Sequence, residues 1–294
     1  LALGMLDTWN VQSIASLNAL NGGKIYGVSY GNKGSTVVEN TSLSLTPITV
    51  FLPAAGEVHV FRDGRLLSVQ NFNMGSYEID TSRFPYGVYD VTVDIVVNGR
   101  TINSRISRVN KIFARQQAAG IDQLSWQLFG GSLDYDRVSY KRNHYQDLGN
   151  EQTWIAGGAA SVTLAILSGL GLKSTLYGFG NNTVNETDVT LNVNEYVSIG
   201  NQTLVANDSS WRNISNINLN IPEGYGSLWA SREDSKIGDR LPMQERDNYS
   251  IGGTLNLGKF IPHGGSLTVS QTENHYSGNK YRNLDYSTTL YSGR

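Results

Sequence analysis

Apolar and polar residues alternate along much of the chain with a period of two. In residues 216–221, isoleucine and leucine alternate with asparagine, and in residues 250–257, isoleucine, glycine and leucine alternate with small polar residues and glycine. The same pattern recurs at 124–128, 266–270 and 282–290. A period of two places successive side chains on opposite faces of a strand. The pattern therefore predicts an all-β protein.

The stretch from Gln152 to Leu172 has no charged residue and is long enough to cross a membrane as a helix. Interior glycines weaken such a helix, and the residues of this stretch alternate as a strand does. Ser168-Gly169 supplies a turn signal within it. We therefore predict a β-hairpin rather than a transmembrane helix.

The chemistry of the two strand faces separates two kinds of β protein. One face is apolar and aromatic, and the other is rich in Asn, Ser, Thr and Gly rather than Lys and Glu. A soluble sandwich usually carries many charges on its polar face. A polar lumen beside a lipid-facing band is typical of an outer-membrane barrel. Alternation alone leaves both architectures open.

Composition and charge exclude several functions. The chain has 294 residues, 23 Lys+Arg against 25 Asp+Glu, and no cysteine. Near-neutral charge without a basic stripe argues against nucleic acid as a partner. Without cysteine there are no disulfides, thiolate metal sites or cysteine nucleophiles. The four histidines stand far apart, and we expect neither a metal nor a cofactor.

Residues 48–111 read as a separate unit of short antiparallel strands. Asp63-Gly64 and Asn98-Gly99 each separate two apolar runs, and such pairs favour type I′ hairpin turns. About 60 residues of this kind are enough for a small β-sandwich. Its predicted core consists of Val58, Val60, Leu66, Ile79, Tyr89, Val91, Val93 and Ile95.

Two runs in this unit are specific in sequence. They are Val58-x-Val60-x-Arg62-Asp63-Gly64-Arg65 and Gly75-x-Tyr77-x-Ile79-Asp80-Thr81-Ser82-x-x-Pro85-x-Gly87-x-Tyr89. Together they resemble the plug domain of fimbrial outer-membrane ushers, the Gram-negative pores of the chaperone-usher pathway. The second run is most similar to ushers of colonisation-factor-like, alpha-type fimbriae. Residues 22–28 resemble the last barrel strands before the plug. Residues after about 124 match the family only in their alternating strand pattern and carry no specific motif.

The resemblance implies a partial transmembrane antiparallel β-barrel with an inserted β-sandwich plug domain. Residues 1–47 would be barrel strands before the plug, 48–111 the plug, and 112–294 barrel strands after it. About 230 residues outside the plug, at about 14 per strand and turn, give roughly 16 strands. The chain starts at Leu1 and still alternates near Arg294, so we expect a piece of a longer protein.

The resemblance also implies a function. An usher in the bacterial outer membrane receives pilus subunits from a periplasmic chaperone, joins them by strand exchange and passes the fibre outward. The expected partners are chaperone–pilus subunit complexes, the growing fimbrial fibre and outer-membrane lipid. Such a pore is not an enzyme and needs no cofactor.

A plug that closes a pore and later releases it should contact the wall through polar groups. The candidate gating residues are the charged plug residues Arg62, Asp63, Arg65, Asp80, Arg83, Arg100, Arg105 and Arg108. Further charged candidates follow the plug at Asp134, Asp136, Arg137, Lys141 and Arg142. The residues expected to set the plug fold are Gly64, Gly75, Tyr77, Pro85, Gly87, Tyr89 and Gly99.

Other functions stay open at this point. A soluble secreted β-sandwich binding module, possibly carbohydrate-binding, would also be rich in strands and aromatic residues. Asp134 with Asp136, or Glu233 with Asp234, would be carboxylate pairs for glycoside chemistry, although adjacent acidic residues usually lie in loops. Asn-x-Ser/Thr triplets such as 185–187 and 213–215 are interpreted as chance matches to a glycosylation signal.

Overall fold

The structure is a computed structural model that describes most of the chain. The described residues are 1–7, 15–20, 23–32, 48–62, 65–81, 84, 87–111, 124–141, 144–164, 166, 169–238, 240–243, 245–261, 264–276 and 278–287. Among them, no helix reaches the length and apolar character needed to cross a membrane. The only helical turns in these ranges are two 3-10 turns at Pro222–Gly224 and Leu257–Lys259.

Eighteen strands form in the described residues. The first eight are β1 (Ala2–Asp7), β2 (Gly23–Gly31), β3 (Thr49–Leu52), β4 (Gly56–Arg62), β5 (Arg65–Phe72), β6 (Gly75–Glu78), β7 (Gly87–Val97) and β8 (Arg100–Lys111). The others are β9 (Ser125–Lys141), β10 (His144–Leu164), β11 (Leu170–Phe179), β12 (Asn182–Asn192), β13 (Val197–Ala206), β14 (Trp211–Ile221), β15 (Gly226–Lys236), β16 (Asp247–Asn256), β17 (Ser266–Asn274) and β18 (Asn279–Ser287).

Twelve of these strands form one antiparallel sheet, which we call the wall. Its order is β1-β2-β9-β10 and then every strand in sequence to β18, so each strand pairs with its chain neighbour except across the insertion between β2 and β9. The described wall has twelve strands, fewer than the roughly 16 estimated from the sequence. Long strands account for part of the difference, because β9 has 17 residues and β10 has 21.

The outer face of the wall exposes apolar side chains, and the opposite face buries polar side chains beside an apolar cluster. On β14, Ile217 and Leu219 are 41% and 42% exposed, whereas Asn218 between them is 3% exposed. On the neighbouring β15, Ser231, Glu233 and Ser235 are buried and Leu228 is exposed. We call the face that carries the buried residues the inner face and the opposite one the outer face.

The hairpin predicted for residues 152–172 is confirmed. Strands β10 and β11 pair antiparallel from Ile155 opposite Phe179 to Leu164 opposite Leu170. Gly169, at the predicted turn, has a φ of 136°, which a residue with a side chain rarely adopts. Trp154 is exposed on the outer face and Ile155 is buried on the inner face, as the alternation predicts.

The inserted unit forms two small sheets. Strands β5-β4-β7-β8 make a four-stranded antiparallel sheet, and β3 pairs with β6. Both sheets contribute to one buried cluster, to which β3 and β4 give Val50, Leu52, Val58 and Val60. The unit is therefore a β-sandwich with its own core, and we call it the plug.

Most of the predicted plug core is confirmed, but Leu66 is wrong. Val58, Val60, Ile79, Val91, Val93 and Ile95 are buried, and Leu66 is 53% exposed, while the side chain of Tyr89 lies outside the described part of the structure. The pairing of β4 with β5 shifts between Val60 and Phe61, and Leu67 packs against the core instead. A β-bulge exchanges the faces of a strand, and the sequence pattern did not reveal it.

Candidate functional site

The inner face of the wall is covered by a chain segment that precedes β2. Residues 15–20 lie there and all but Asn18 are buried, with Ala15 and Ala19 fully inaccessible and Leu17 at 2% exposure. The backbone N–H of Ala15 donates to Gln127 on β9 over 3.2 Å, and that of Ser16 donates to Thr175 on β11 over 3.0 Å. The polar inner face thus holds the segment through side-chain acceptors.

Glu186 on β12 is the main acceptor for this segment. Its carboxylate accepts hydrogen bonds from the Tyr177 hydroxyl at 2.6 Å, from Asn18 Nδ2 at 2.8 Å and from the Ala19 backbone N–H at 3.2 Å. Glu186 is 3% exposed. A buried carboxylate is costly unless several donors surround it, and here three do.

A second segment, between β15 and β16, joins the same core. Ile237, Leu241 and Met243 are buried in one cluster with Leu17 and Leu20. The side chain of Asp208, in the β13–β14 connection, accepts from the backbone N–H of Arg240 over 3.2 Å. The β1–β2 and β15–β16 connections lie at the same end of the antiparallel wall, so both segments meet near that end.

Buried charges on the inner face are paired beside this second segment. Glu233 on β15 is inaccessible to solvent and lies 2.8 Å from Arg212 Nη2 and 3.8 Å from Arg246 Nη1. Removing one member of such a cluster would leave the others buried without their counter-charge. The inner face therefore combines buried polar and charged side chains with an apolar cluster that includes Leu133, Tyr177 and Phe179.

The plug touches the inner face through Thr49. The Thr49 hydroxyl donates to Asp285 Oδ2 on β18 over 2.9 Å. On the other side, the Arg105 guanidinium donates to the Thr49 backbone carbonyl. A polar connection thus runs from Arg105 to Thr49 within the plug and from Thr49 to Asp285 on the wall.

The predicted gating residues lie in different environments. Arg105 takes part in this connection, Arg62 is buried at the end of β4, and Asp80 and Arg100 are exposed. The backbone places Arg65 at the start of β5 and Arg108 within β8, and Asp63 and Arg83 lie outside the described residues. A gating role for these eight residues stays a prediction.

The plug-fold residues are partly described. Asn98 and Gly99 have φ values of 52° and 74°, the pair of positive angles that a type I′ turn needs. Gly75 has a φ of 142°, and Tyr77 stacks on Phe72 with ring centroids 4.8 Å apart. Gly87 and Tyr89 lie in β7, whereas Gly64 and Pro85 lie outside the described residues.

The carboxylate pairs considered for glycoside chemistry serve structural contacts. Asn150 Nδ2 donates to Asp134 over 2.6 Å and to Asp136 over 3.1 Å. Glu233 faces inward to its arginines, whereas Asp234 next to it on the strand faces outward. Arg137 pairs with Glu151 at 2.7 Å, while Arg142 lies outside the described residues and the side chain of Lys141 is not described.

Comparison with protein families matches the plug. The model of the family described as "TcfC: E-set like domain" covers residues 44–111. These bounds nearly coincide with the 48–111 unit expected from the sequence.

Comparison with curated proteins covers almost the whole chain. It is 44% identical over 290 residues to the "Probable outer membrane usher protein EcpC" of Escherichia coli O127:H6 (strain E2348/69 / EPEC) and to that of Escherichia coli O157:H7. The chain belongs to the outer membrane usher family. The aligned part is 99% of this chain, and the chain spans 34% of the length of those ushers.

Among solved structures, the translocation pore of the P pilus usher PapC is similar to this usher chain. The match has a TM-score of 0.45 at 13% identity and covers 95% of this chain and 62% of PapC.

Several site residues of this usher chain were missed by sequence reasoning. Thr49 and Asp285 carry no motif, and their contact depends on how the plug sits against β18. Glu186 had a weak sequence signal. It is a charged residue on the strand face that also carries Val184, where the alternation predicts a buried side chain. The buried segment at 15–20 gave no periodic signal.

Proposed function

We propose that this chain is the plug-bearing part of an outer-membrane pore that assembles and secretes fimbrial subunits. The complete protein would receive subunits from a periplasmic chaperone, join them by strand exchange and pass the growing fibre through the wall. Strand exchange needs no nucleotide, because a better-fitting strand replaces the one that the chaperone donates. The chaperone–subunit complexes, the fibre and outer-membrane lipid are the proposed partners.

The exposed apolar side chains of the outer face carry this proposal. Leucine, isoleucine and tryptophan side chains lie exposed on the outer face, while asparagine, serine and glutamate lie buried on the inner face. In water such an arrangement would expose apolar surface on most of the wall strands. In a membrane it gives a lipid-facing band around a polar lumen. The soluble binding module is therefore the less favourable alternative.

The plug would close the lumen through polar contacts. The connection Arg105–Thr49–Asp285 joins it to β18 on the inner face. Hydrogen bonds of this kind exchange with water on release, whereas a buried apolar seal would have to expose its surface. We extend this role to the charged plug residues Arg62, Asp63, Arg65, Asp80, Arg83, Arg100 and Arg108.

The proposed division of the chain is 1–47 and 112–294 for wall strands and 48–111 for the plug. It is supported by the separate plug core and by the family match at 44–111.

Transport of this kind makes or breaks no covalent bond, so the proposed function is not enzymatic. Among the described residues, no cluster of three or more His, Asp or Glu could hold a metal ion.

The test uses the complete usher in planar lipid bilayers. Deleting residues 50–110 removes the plug sandwich and should raise the closed-state conductance to a steady open level. Fractionation should place both the intact and the deleted protein in the outer membrane. Unchanged closed-state conductance in a correctly inserted protein would overturn the plug role, and a protein that stays soluble without detergent would overturn the pore itself.

A further inference from the structure

An ordered row of polar side chains interrupts the apolar outer face of the wall. It consists of three Asn-x-Ser/Thr pairs on neighbouring strands, and we call it the amide–hydroxyl ladder: Asn185 and Thr187 on β12, Asn201 and Thr203 on β13, and Asn213 and Ser215 on β14. All six side chains point outward. Two of these pairs had appeared only as chance matches to a glycosylation signal.

The three pairs repeat one geometry. In each pair the hydroxyl donates to the amide oxygen two residues earlier, at 3.1 Å on β12, 2.8 Å on β13 and 3.1 Å on β14. Between β13 and β14, Asn213 Nδ2 donates to the Thr203 hydroxyl and Asn201 Nδ2 donates to the Ser215 hydroxyl, both at 2.9 Å. The side chains are therefore held in fixed orientations before any ligand arrives.

The ladder lies between an apolar zone and the strand ends. Toward the β12–β13 and β14–β15 connections, the outward positions are apolar: Val189 and Leu191, Val197 and Ile199, and Ile217 and Leu219. Toward the opposite ends, a single outward position remains on each strand, occupied by Thr183, Val205 or Trp211. An amphipathic molecule that lies along the strands would therefore contact the apolar zone with its apolar part and the ladder with its polar part.

We propose that the amide–hydroxyl ladder binds the uncharged saccharide headgroup of a membrane glycolipid, whose acyl chains lie along the apolar zone. This inference rests on the proposed function, because it requires the outer face to contact lipid. It also adds to that function, since it assigns a lipid class to one sector of the wall.

The chemistry of the ladder fits sugar hydroxyls. Amide and hydroxyl groups both donate and accept, as sugar hydroxyls do, and none of the six side chains carries a charge. Trp211 stands next to Asn213 on the same face with its ring partly exposed, which offers a flat surface to the apolar side of a sugar ring. Charged residues lie on the neighbouring strand β15: Arg232 is opposite Ser215 and is paired with Asp247 at 3.6 Å, and Asp234 is opposite Asn213.

Photolabelling of the complete usher in phosphatidylethanolamine vesicles tests the proposal. Two probes with the same photoactivatable acyl chain are compared, monogalactosyl diacylglycerol and phosphatidylcholine, and the labelled peptides are mapped by mass spectrometry. The galactolipid should label β12–β14 about threefold to tenfold more than phosphatidylcholine, the preference that one or two hydrogen bonds provide. Elsewhere on the wall the two probes should label equally.

Two variants and a control separate recognition from sheet stability. Thr203→Val keeps the shape of the side chain and removes its hydroxyl, and Asn201→Leu removes an amide, so each should lower the galactolipid preference toward the phosphatidylcholine level. Gln271→Leu removes an outward amide on β17, outside the ladder, and should leave the preference unchanged.

The outcomes are distinguishable from failure of the pore proposal. Equal labelling of β12–β14 by both lipids, or an unchanged preference in Thr203→Val and Asn201→Leu, would mean that the ladder only stabilises the sheet and would overturn this inference alone. No labelling of the outer face by either lipid in vesicle-bound protein would overturn this inference and the pore proposal together.

Discussion

Tyr177 and Glu186 form a buried hydrogen bond between neighbouring strands of the wall, with 2.6 Å between the phenolic oxygen and Glu186 Oε1. The same carboxylate accepts from Asn18 and from the Ala19 backbone. One side chain of β12 thus joins the wall to the segment that covers its inner face. This contact is the basis of the first prediction.

Glu186→Ala should destabilise the protein strongly, because the Tyr177 hydroxyl and the Asn18 amide lose their acceptor and the Ala19 N–H keeps only its contact with Tyr177. We expect a loss of about 3 kcal/mol or more in the free energy of unfolding, measured by urea titration in detergent. Glu186→Gln keeps one amide oxygen as acceptor and should cost clearly less. If the alanine and glutamine variants unfold at the wild-type urea concentration, the segment at 15–20 does not depend on this carboxylate.

Thr49→Val should weaken the connection between plug and wall while leaving the plug folded. The substitution removes the hydroxyl that donates to Asp285 and leaves the backbone carbonyl that accepts from Arg105. We expect more frequent opening events in single-channel recordings of the complete usher. Asp285→Leu should have the same effect, and combining the two should add little, since both remove one interaction.

The matched control for this contact is Thr101→Val, at an exposed threonine near the tip of the β7–β8 hairpin. It makes the same chemical change in the plug. Opening events as frequent in Thr101→Val as in Thr49→Val would show that the effect comes from the plug itself and not from its contact with β18.

Ile79→Ala should destabilise the plug, because Ile79 is 1% exposed in the plug core. A buried isoleucine cut to alanine typically costs about 2–5 kcal/mol. Ile106→Ala is the control, since Ile106 is 74% exposed and its truncation should change stability by less than about 0.5 kcal/mol. The measurement is the rate of protease cleavage within the plug, and equal rates for the two variants would contradict the assigned core.

Gly99→Ala should strain the β7–β8 turn. Gly99 has a φ of 74°, and a Cβ added there would meet no atom within 4 Å, so the cost is purely conformational. An alanine in the left-handed region costs about 1–2 kcal/mol. Arg100→Ala, the next residue, should be nearly neutral in the same protease assay. A neutral Gly99→Ala would mean that the turn is not type I′.

Regular features of the fold were predictable from the sequence, and local irregularities were not. Alternation at Ile217–Ile221 indicates which side chains face outward, and Asn98-Gly99 predicts its turn because only a few residues accept two positive φ angles. Leu66 was misplaced because a bulge after Val60 exchanges the faces of β5. A single-residue shift of this kind leaves no trace in a hydrophobic pattern.

The candidate site was predictable only in its chemistry. Polar contacts between plug and wall follow from the residue types, but the plug residue that contacts β18 is the uncharged Thr49, and Arg105 donates to its backbone within the plug. The partners themselves depend on long-range packing: Thr49 is 236 positions from Asp285, and Asn18 is 168 positions from Glu186. No local pattern encodes contacts over such distances in sequence.

The most direct test of the account concerns which face of the wall meets lipid. The chain has no cysteine, so Leu219→Cys and Asn220→Cys place single thiols on opposite faces of adjacent β14 positions, both exposed. In outer membranes, a charged water-soluble maleimide should modify the cysteine at 220 and leave that at 219 unmodified, while a lipid-soluble maleimide should modify the one at 219. Rapid modification of both positions by the charged reagent would show that the outer face lies in water and would contradict the lipid-embedded wall.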